Sequence, residues 1–146
     1  MRQKVIASLI AISGAATASG CGTRAEYLVQ GTERSIGVDG LITITPHQED
    51  VNLVQVELIN LPPPERHDRM KRAFVVWLTP QDGAPIRAGR LAYDRESRRG
   101  VLQAMTPNDA LFVQITAEDA SDVTKPSDFV VVSRHVVLKR ENTAAN

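Results

Sequence analysis

The chain predicts an all-β domain, an antiparallel β-sandwich of about seven or eight strands. Three observations carry this. Several short segments alternate apolar and polar residues with a period of two, the pattern of a half-buried strand. Clusters of Gly, Pro, Asn and Asp separate them, as turns require. No segment shows the 3.6-residue apolar period of an amphipathic helix.

Taken in order, Glu26 to Val29 is a short opening strand. Asp39-Gly40 has hairpin-turn chemistry and precedes a strand in which Ile42 and Ile44 alternate with Thr43 and Thr45. His47-Gln48-Glu49-Asp50 reads as a solvated loop, and Val54, Val56 and Leu58 then alternate with Gln55 and Glu57. Ala73 to Leu78, AFVVWL, is apolar on both sides and reads as a central strand. Its Trp77 is the expected core anchor, as in immunoglobulin-like domains. Gln81 to Pro85 is a turn, followed by strands over Ile86 to Tyr93 and Val101 to Met105. Thr106-Pro107-Asn108-Asp109 turns the chain into a strand whose Leu111, Val113, Ile115 and Ala117 share one face. Phe129 to Leu138 closes the domain and changes face near Ser133-Arg134, where a bulge is expected.

The N-terminus has a different composition. Met1-Arg2-Gln3-Lys4 is basic, Val5 to Ala16 is apolar and small, and Thr17 to Gly20 supplies small residues up to Cys21. This is the pattern of an export signal, and the apolar run is too short for a membrane span. Ala18-Ser19-Gly20-Cys21 resembles a bacterial lipobox. The resemblance implies cleavage between Gly20 and Cys21, lipidation of the Cys21 sulfur, and a mature protein held on a membrane by acyl chains. Gly22, where an Asp would retain a lipoprotein in the inner membrane, implies the outer membrane, facing the periplasm. The expected organisation is a signal peptide over 1–20, a lipidated tether over 21–26, the β domain over 27–139 and a polar tail over 140–146.

Composition narrows the function classes. The 146 residues carry 17 basic and 17 acidic side chains and one cysteine. Loss of Arg2 and Lys4 with the signal leaves a slightly acidic mature chain, which lacks the basic excess of a nucleic-acid binder. With Cys21 acylated no thiol remains for a disulfide, so packing alone must hold the domain. Neither a cofactor motif nor metal-ligand spacing is present.

From Ala73 onward the chain resembles the extracytoplasmic domain of membrane-bound anti-sigma factors of the sigma-K-regulating type. The residues that carry this are Val76-Trp77-Leu78, Asp82-Gly83, Gly89-Arg90-Leu91, Ile115-Thr116-Ala117-Glu118 and Pro126. The resemblance implies a shared fold. With no sigma-binding segment in the chain, it does not imply the activity.

The candidate partner surface is the longest connection, Pro62-Pro63-Pro64 followed by the charged run Glu65 to Arg72. The prolines favour stiff, extended backbone. Arg66, Arg69 and Arg72 offer planar donors for carboxylates or phosphates, and Met70 an adaptable apolar contact. The stretch Glu65 to Lys71 is expected to be exchangeable without loss of fold. Arg95, Arg98 and Arg99, with Arg87 and Arg90, form a basic hairpin that protects a sheet edge or touches an anion. Adjacent His67 and Asp68 would diverge on an extended chain, and His135 is expected to be partly buried in its strand. No nucleophile elbow or cysteine nucleophile is present. The expectation is a non-catalytic, lipid-anchored envelope module that binds a protein or glycan. The alternatives are an extracytoplasmic sensor or regulator and a small hydrolase or carbohydrate-active accessory protein.

Overall fold

A computed structural model describes residues 23–140. The proposed signal, Gly20, Cys21 and most of the polar tail lie outside the described residues. The strands are β1 (Ala25–Gln30), β2 (Asp39–Gln48), β3 (Val51–Ile59), β4 (Ala73–Pro80), β5 (Ile86–Arg90), β6 (Ala92–Asp94), β7 (Arg99–Thr106), β8 (Ala110–Glu118) and β9 (Val130–Val137). A 3₁₀ turn covers Glu33–Ser35, and a single helical turn, α1, covers Pro64–His67. The strands form two antiparallel sheets, β1-β2-β3-β7-β6 and β5-β4-β8-β9. This is the predicted sandwich, with nine strands because Ile86 to Tyr93 divides in two. At buried Leu91 the chain leaves one sheet for the other, and the Leu91 N–H donates to Phe74 O across the step.

The core follows the period of two. Ile42 and Ile44 from β2, Val54, Val56 and Leu58 from β3, Phe74, Val76 and Leu78 from β4, and Leu111, Val113 and Ile115 from β8 fill the space between the sheets. Trp77 is fully buried but lies outside this inter-sheet core. Alternation along β4 puts it with Val75 on the opposite face. That face is roofed by the 119–129 segment. The Ser127 N–H donates to Glu118 Oε1 at 2.8 Å, and the guanidinium of Arg87, opposite Trp77 in β5, donates to Ser121 O. Trp77 Nε1–H donates to Thr116 Oγ1 at 2.8 Å, and the Thr116 hydroxyl passes the bond to Glu118 Oε1 at 2.6 Å. AFVVWL is apolar on both sides because both of its faces are covered, one by a sheet and one by a loop.

Two glycines have specific reasons. Asp39-Gly40 is not the hairpin turn expected; both residues belong to β2, and the turn lies over 31–38. A Cβ on Gly40 would come within 2.5 Å of Glu57 O and of a Leu58 methyl. Gly89 adopts φ +153° where the β4–β5 register shifts between Val76 and Trp77. The bulge expected at Ser133-Arg134 sits slightly earlier. Ile115 pairs Val132 and Thr116 pairs Val130, which leaves Val131 as the extra residue.

The hairpin connections sort the loops into two poles. At the basal pole β1 begins, β9 ends, and the turns at 49–50, 81–85 and 107–109 cluster. At the apical pole lie the segments 31–38, 60–72, 95–98 and 119–129. Both boundaries of the expected domain move outward. β1 starts at Ala25 rather than 27, and Arg140 belongs to the fold rather than the tail. Its Nε donates to both Asp109 carboxylate oxygens, and Nη2 donates to Asn52 Oδ1 at 3.1 Å.

Candidate functional site

The apical pole gathers the side chains that sequence reasoning singled out, in a different grouping. The three prolines do not continue as an extended arm. Pro63 and Pro64 start α1, where a missing N–H costs nothing, and the Arg66 N–H closes the turn on Pro63 O at 2.9 Å. α1 turns the His67 ring inward, edge-on to Phe74 and Phe129 with centroids 5.6 and 5.5 Å away. Its Nδ1 lies 3.3 Å from Ser35 Oγ and from Arg34 O. Asp68 turns away and accepts the Met70 N–H at 2.9 Å, so the two neighbours diverge as expected. Burial pushes the His67 pKa below its usual value, against an opposing contribution from the Arg34 carbonyl. Nε2 is buried with no hydrogen-bond partner among the described residues. Arg34 and Lys71 stand over the Phe129 ring, 5.0 and 5.8 Å from its centroid, and Lys71 also pairs with Asp119.

The packing of Pro64 and His67 corrects the expectation that Glu65 to Lys71 is freely exchangeable. The four predicted contact residues also separate. Arg72 folds back, its Nη1 donating to Arg69 O and Lys71 O at 2.6 and 3.0 Å. Met70 is 63% exposed, and Arg69 is exposed on the same loop. Arg66 instead faces the β6–β7 hairpin. Together with Pro62, Pro63, Arg95 and Arg98 it lines one cleft.

This cleft is the site that local reading missed. β3 pairs with β7, so the connection leaving β3 and the hairpin entering β7 meet at the same end of the sheet. Arg95 makes a two-pronged pair with Glu65, Nη1 to Oε1 and Nη2 to Oε2. The hydrogen bonds from Arg95 hold the Glu65 carboxyl below the usual range. Arg98 Nη2 donates to Asn60 O, and the Leu61 N–H donates to Arg98 O at 2.9 Å. Asn60 and Arg98 both adopt left-handed backbone, φ +56° and +54°. Arg66 and Arg98 have no ion-pair partner among the described residues. Tyr93 supports the cleft from behind, its hydroxyl donating to Leu61 O at 2.6 Å. Burial raises the Tyr93 pKa, partly offset by Arg98 and Arg95.

The rest of the basic hairpin disperses. Arg99 pairs with Glu57 across β3 and β7, and Arg87 holds the 119–129 roof. His47 to Asp50 are exposed at the basal turn, and His135 is exposed rather than partly buried. Among the described residues no three His, Cys, Asp or Glu gather as a metal site. No protein-family model matches the chain, and no curated protein or solved structure matches it.

Proposed function

We propose that the protein is a lipid-anchored, non-catalytic binding module of the bacterial cell envelope that meets its partner through the apical pole. One observation carries this reading: β1 starts at the basal pole, opposite the cationic cleft. Three residues separate Cys21 from β1, a reach of about 10 Å. Acylation at Cys21 would seat the basal pole against the membrane. The ten residues of β2 then carry the apical loops about 33 Å away from it. Loops on a rigid scaffold are the usual seat of binding, and here they face outward.

The basal pole suits a seat. Asn52 is fully buried there and donates to Asn108 O at 3.0 Å and Asp109 Oδ1 at 2.8 Å, while Arg140 clamps the same carboxylate. Burial pushes the Asp109 pKa up, but the hydrogen bonds from Asn52 and Arg140 bring it below its usual value. The Ser35–His67 pair does not support hydrolysis. Ser35 is buried, the His67 nitrogen near it also faces a carbonyl, and no carboxylate orients the ring among the described bonds.

Two cysteine variants test the reading on a Cys21-bearing chain in its native envelope. Fatty-acid labelling should be present in the wild type and absent in Cys21→Ser. A thiol crosslinker placed by Met70→Cys should capture the partner, and one placed by Asp82→Cys at the basal pole should not. Absence of label, or capture from the basal site alone, overturns it.

A further inference from the structure

Three guanidinium groups lining one cleft repel one another. Glu65 neutralises only Arg95. The backbone there is also held in a costly conformation. Arg98 sits at the hairpin position where left-handed geometry favours Gly, after an Asx turn in which Asp94 Oδ1 accepts the Glu96 and Ser97 N–H groups. Asn60, whose carbonyl takes the Arg98 guanidinium, is the second left-handed residue. Two of the three positive-φ non-glycine residues among those described therefore meet at this cleft.

We infer that the Arg66–Arg95–Arg98 cleft is a carboxylate site that takes the acidic side chains of a partner peptide. The inference rests on the reading of the apical pole as the partner-facing end. Glu65 shows the recognition in miniature. A glutamate carboxylate, on a peptide backbone, already fills the fork of Arg95 from the rim. Arg66 and Arg98 leave planar donors for further carboxylates. Pro62 and Pro63 give the cleft a stiff apolar wall, so little order is lost on binding. Exposed Met70 on the same connection adds an adaptable apolar contact for a peptide side chain. In this arrangement Glu65 is an internal competitor for Arg95.

The test uses the full mature chain in detergent micelles and a fluorescent oligo-glutamate peptide, read by anisotropy. Arg66→Ala and Arg98→Gly should each weaken binding about tenfold, the scale of one lost charge-assisted bond. Glu65→Gln should tighten binding by freeing Arg95. Arg134→Ala removes an equal charge on β9, away from the cleft, and should leave affinity unchanged. Arg98→Gly should melt no earlier than the wild type, because Gly suits the left-handed position. Equal weakening by Arg66→Ala and Arg134→Ala would reduce the effect to bulk charge and overturn the site. Tighter binding of polygalacturonate per carboxylate would make the ligand a uronic glycan and overturn the peptide assignment. Crosslinking through Met70→Cys separates this from the wider reading. Capture that persists with Arg66→Ala and Arg98→Gly combined sinks the carboxylate site and leaves the apical pole standing. Failure of capture by Met70→Cys alone sinks the pole, whatever the peptide does.

Discussion

The two poles of the sandwich solve the problem of polar groups in opposite ways. At the basal pole, charges and amides satisfy one another. Asn52, Asp109 and Arg140 bond to one another, and the Leu138 N–H adds a bond to Asp109 O. At the apical pole the polar groups stay unsettled. Among the described residues His67 buries a nitrogen without a partner, Arg66 and Arg98 have no counter-ion, and the backbone is left-handed at Asn60 and Arg98, against Asp50 alone at the basal pole. A pole that only holds the fold together can settle into complementarity. A pole that must meet something else keeps donors and strain in reserve, because a satisfied donor has nothing left to offer. The contrast supports the proposal that binding belongs at the apical pole, and each of the following measurements can break or sharpen it.

The largest effect tests what supports the apical loops. Trp77 lies beneath the 119–129 segment and anchors the Thr116–Glu118 chain that ties it down. Trp77→Ala should cost about 3–5 kcal/mol. In denaturant melts it should lower the midpoint far more than any surface change. A midpoint equal to that of the wild type would mean the roof stands without it.

Next comes the basal lock. Asn52→Ala removes both donors of a fully buried amide and leaves the Asn108 carbonyl and Asp109 short of partners. It should cost about 1–3 kcal/mol. It should also raise the Asp109 pKa, observable by NMR titration. An unchanged midpoint would make the basal set decorative and erase the contrast between the poles.

A smaller effect belongs to His67. Its folded pKa is depressed by burial, against an opposing contribution from the Arg34 carbonyl. The unfolded chain therefore binds the proton more readily, and stability is fully present above about pH 6.5. It should fall as pH drops below that value and level off below the folded pKa. Urea melts between pH 8 and pH 5 should show this decline in the wild type and not in His67→Phe. A decline that persists in the variant would assign it to carboxylates elsewhere.

The smallest effect has an unusual sign. Arg98→Gly relieves left-handed strain and gives back part of it as chain entropy, for a net gain of about 0.5 kcal/mol. The fold should gain while the cleft loses a donor. A loss of stability would show that the Arg98 bond to Asn60 O is structural, and would move the strain out of the functional argument.

Much of this was legible in the residues. Local alternation placed the strands over β2, β3 and β8, because a face that packs and a face that does not leave a period of two whatever the topology. Turn chemistry at 81–85 and 106–109 was readable for the same local reason. Other features were not. The apolar face of Trp77 read as inter-sheet core, since burial under a loop and burial under a sheet demand the same side chains. Ile86 to Tyr93 read as one strand, because the step at Leu91 breaks no local rule. His135 read as partly buried because its neighbours Val136 and Val137 are apolar, while the bulge at Val131 changes which side chains point inward. The two arginine groups, one on the proline connection and one on the hairpin, read as separate surfaces.

The sequence by itself determined the class of the domain, most of its strands and turns, and the stock of charged side chains. Those properties are short-range, written in spacing and composition. Only the tertiary structure decided which charges are spent and which are free. The pairing of β3 with β7 brought Arg66 to Arg95 and Arg98 across some thirty residues of chain. The fold-back of Arg72 removed one residue that the proline connection had offered as a contact, and the inward turn of His67 made that connection a packed element. The direction of β1 then put the cleft at the far end of the sandwich from the start of that strand. None of these is a property of a segment. Each follows from which strands lie side by side, and that is settled by the packing of one common core.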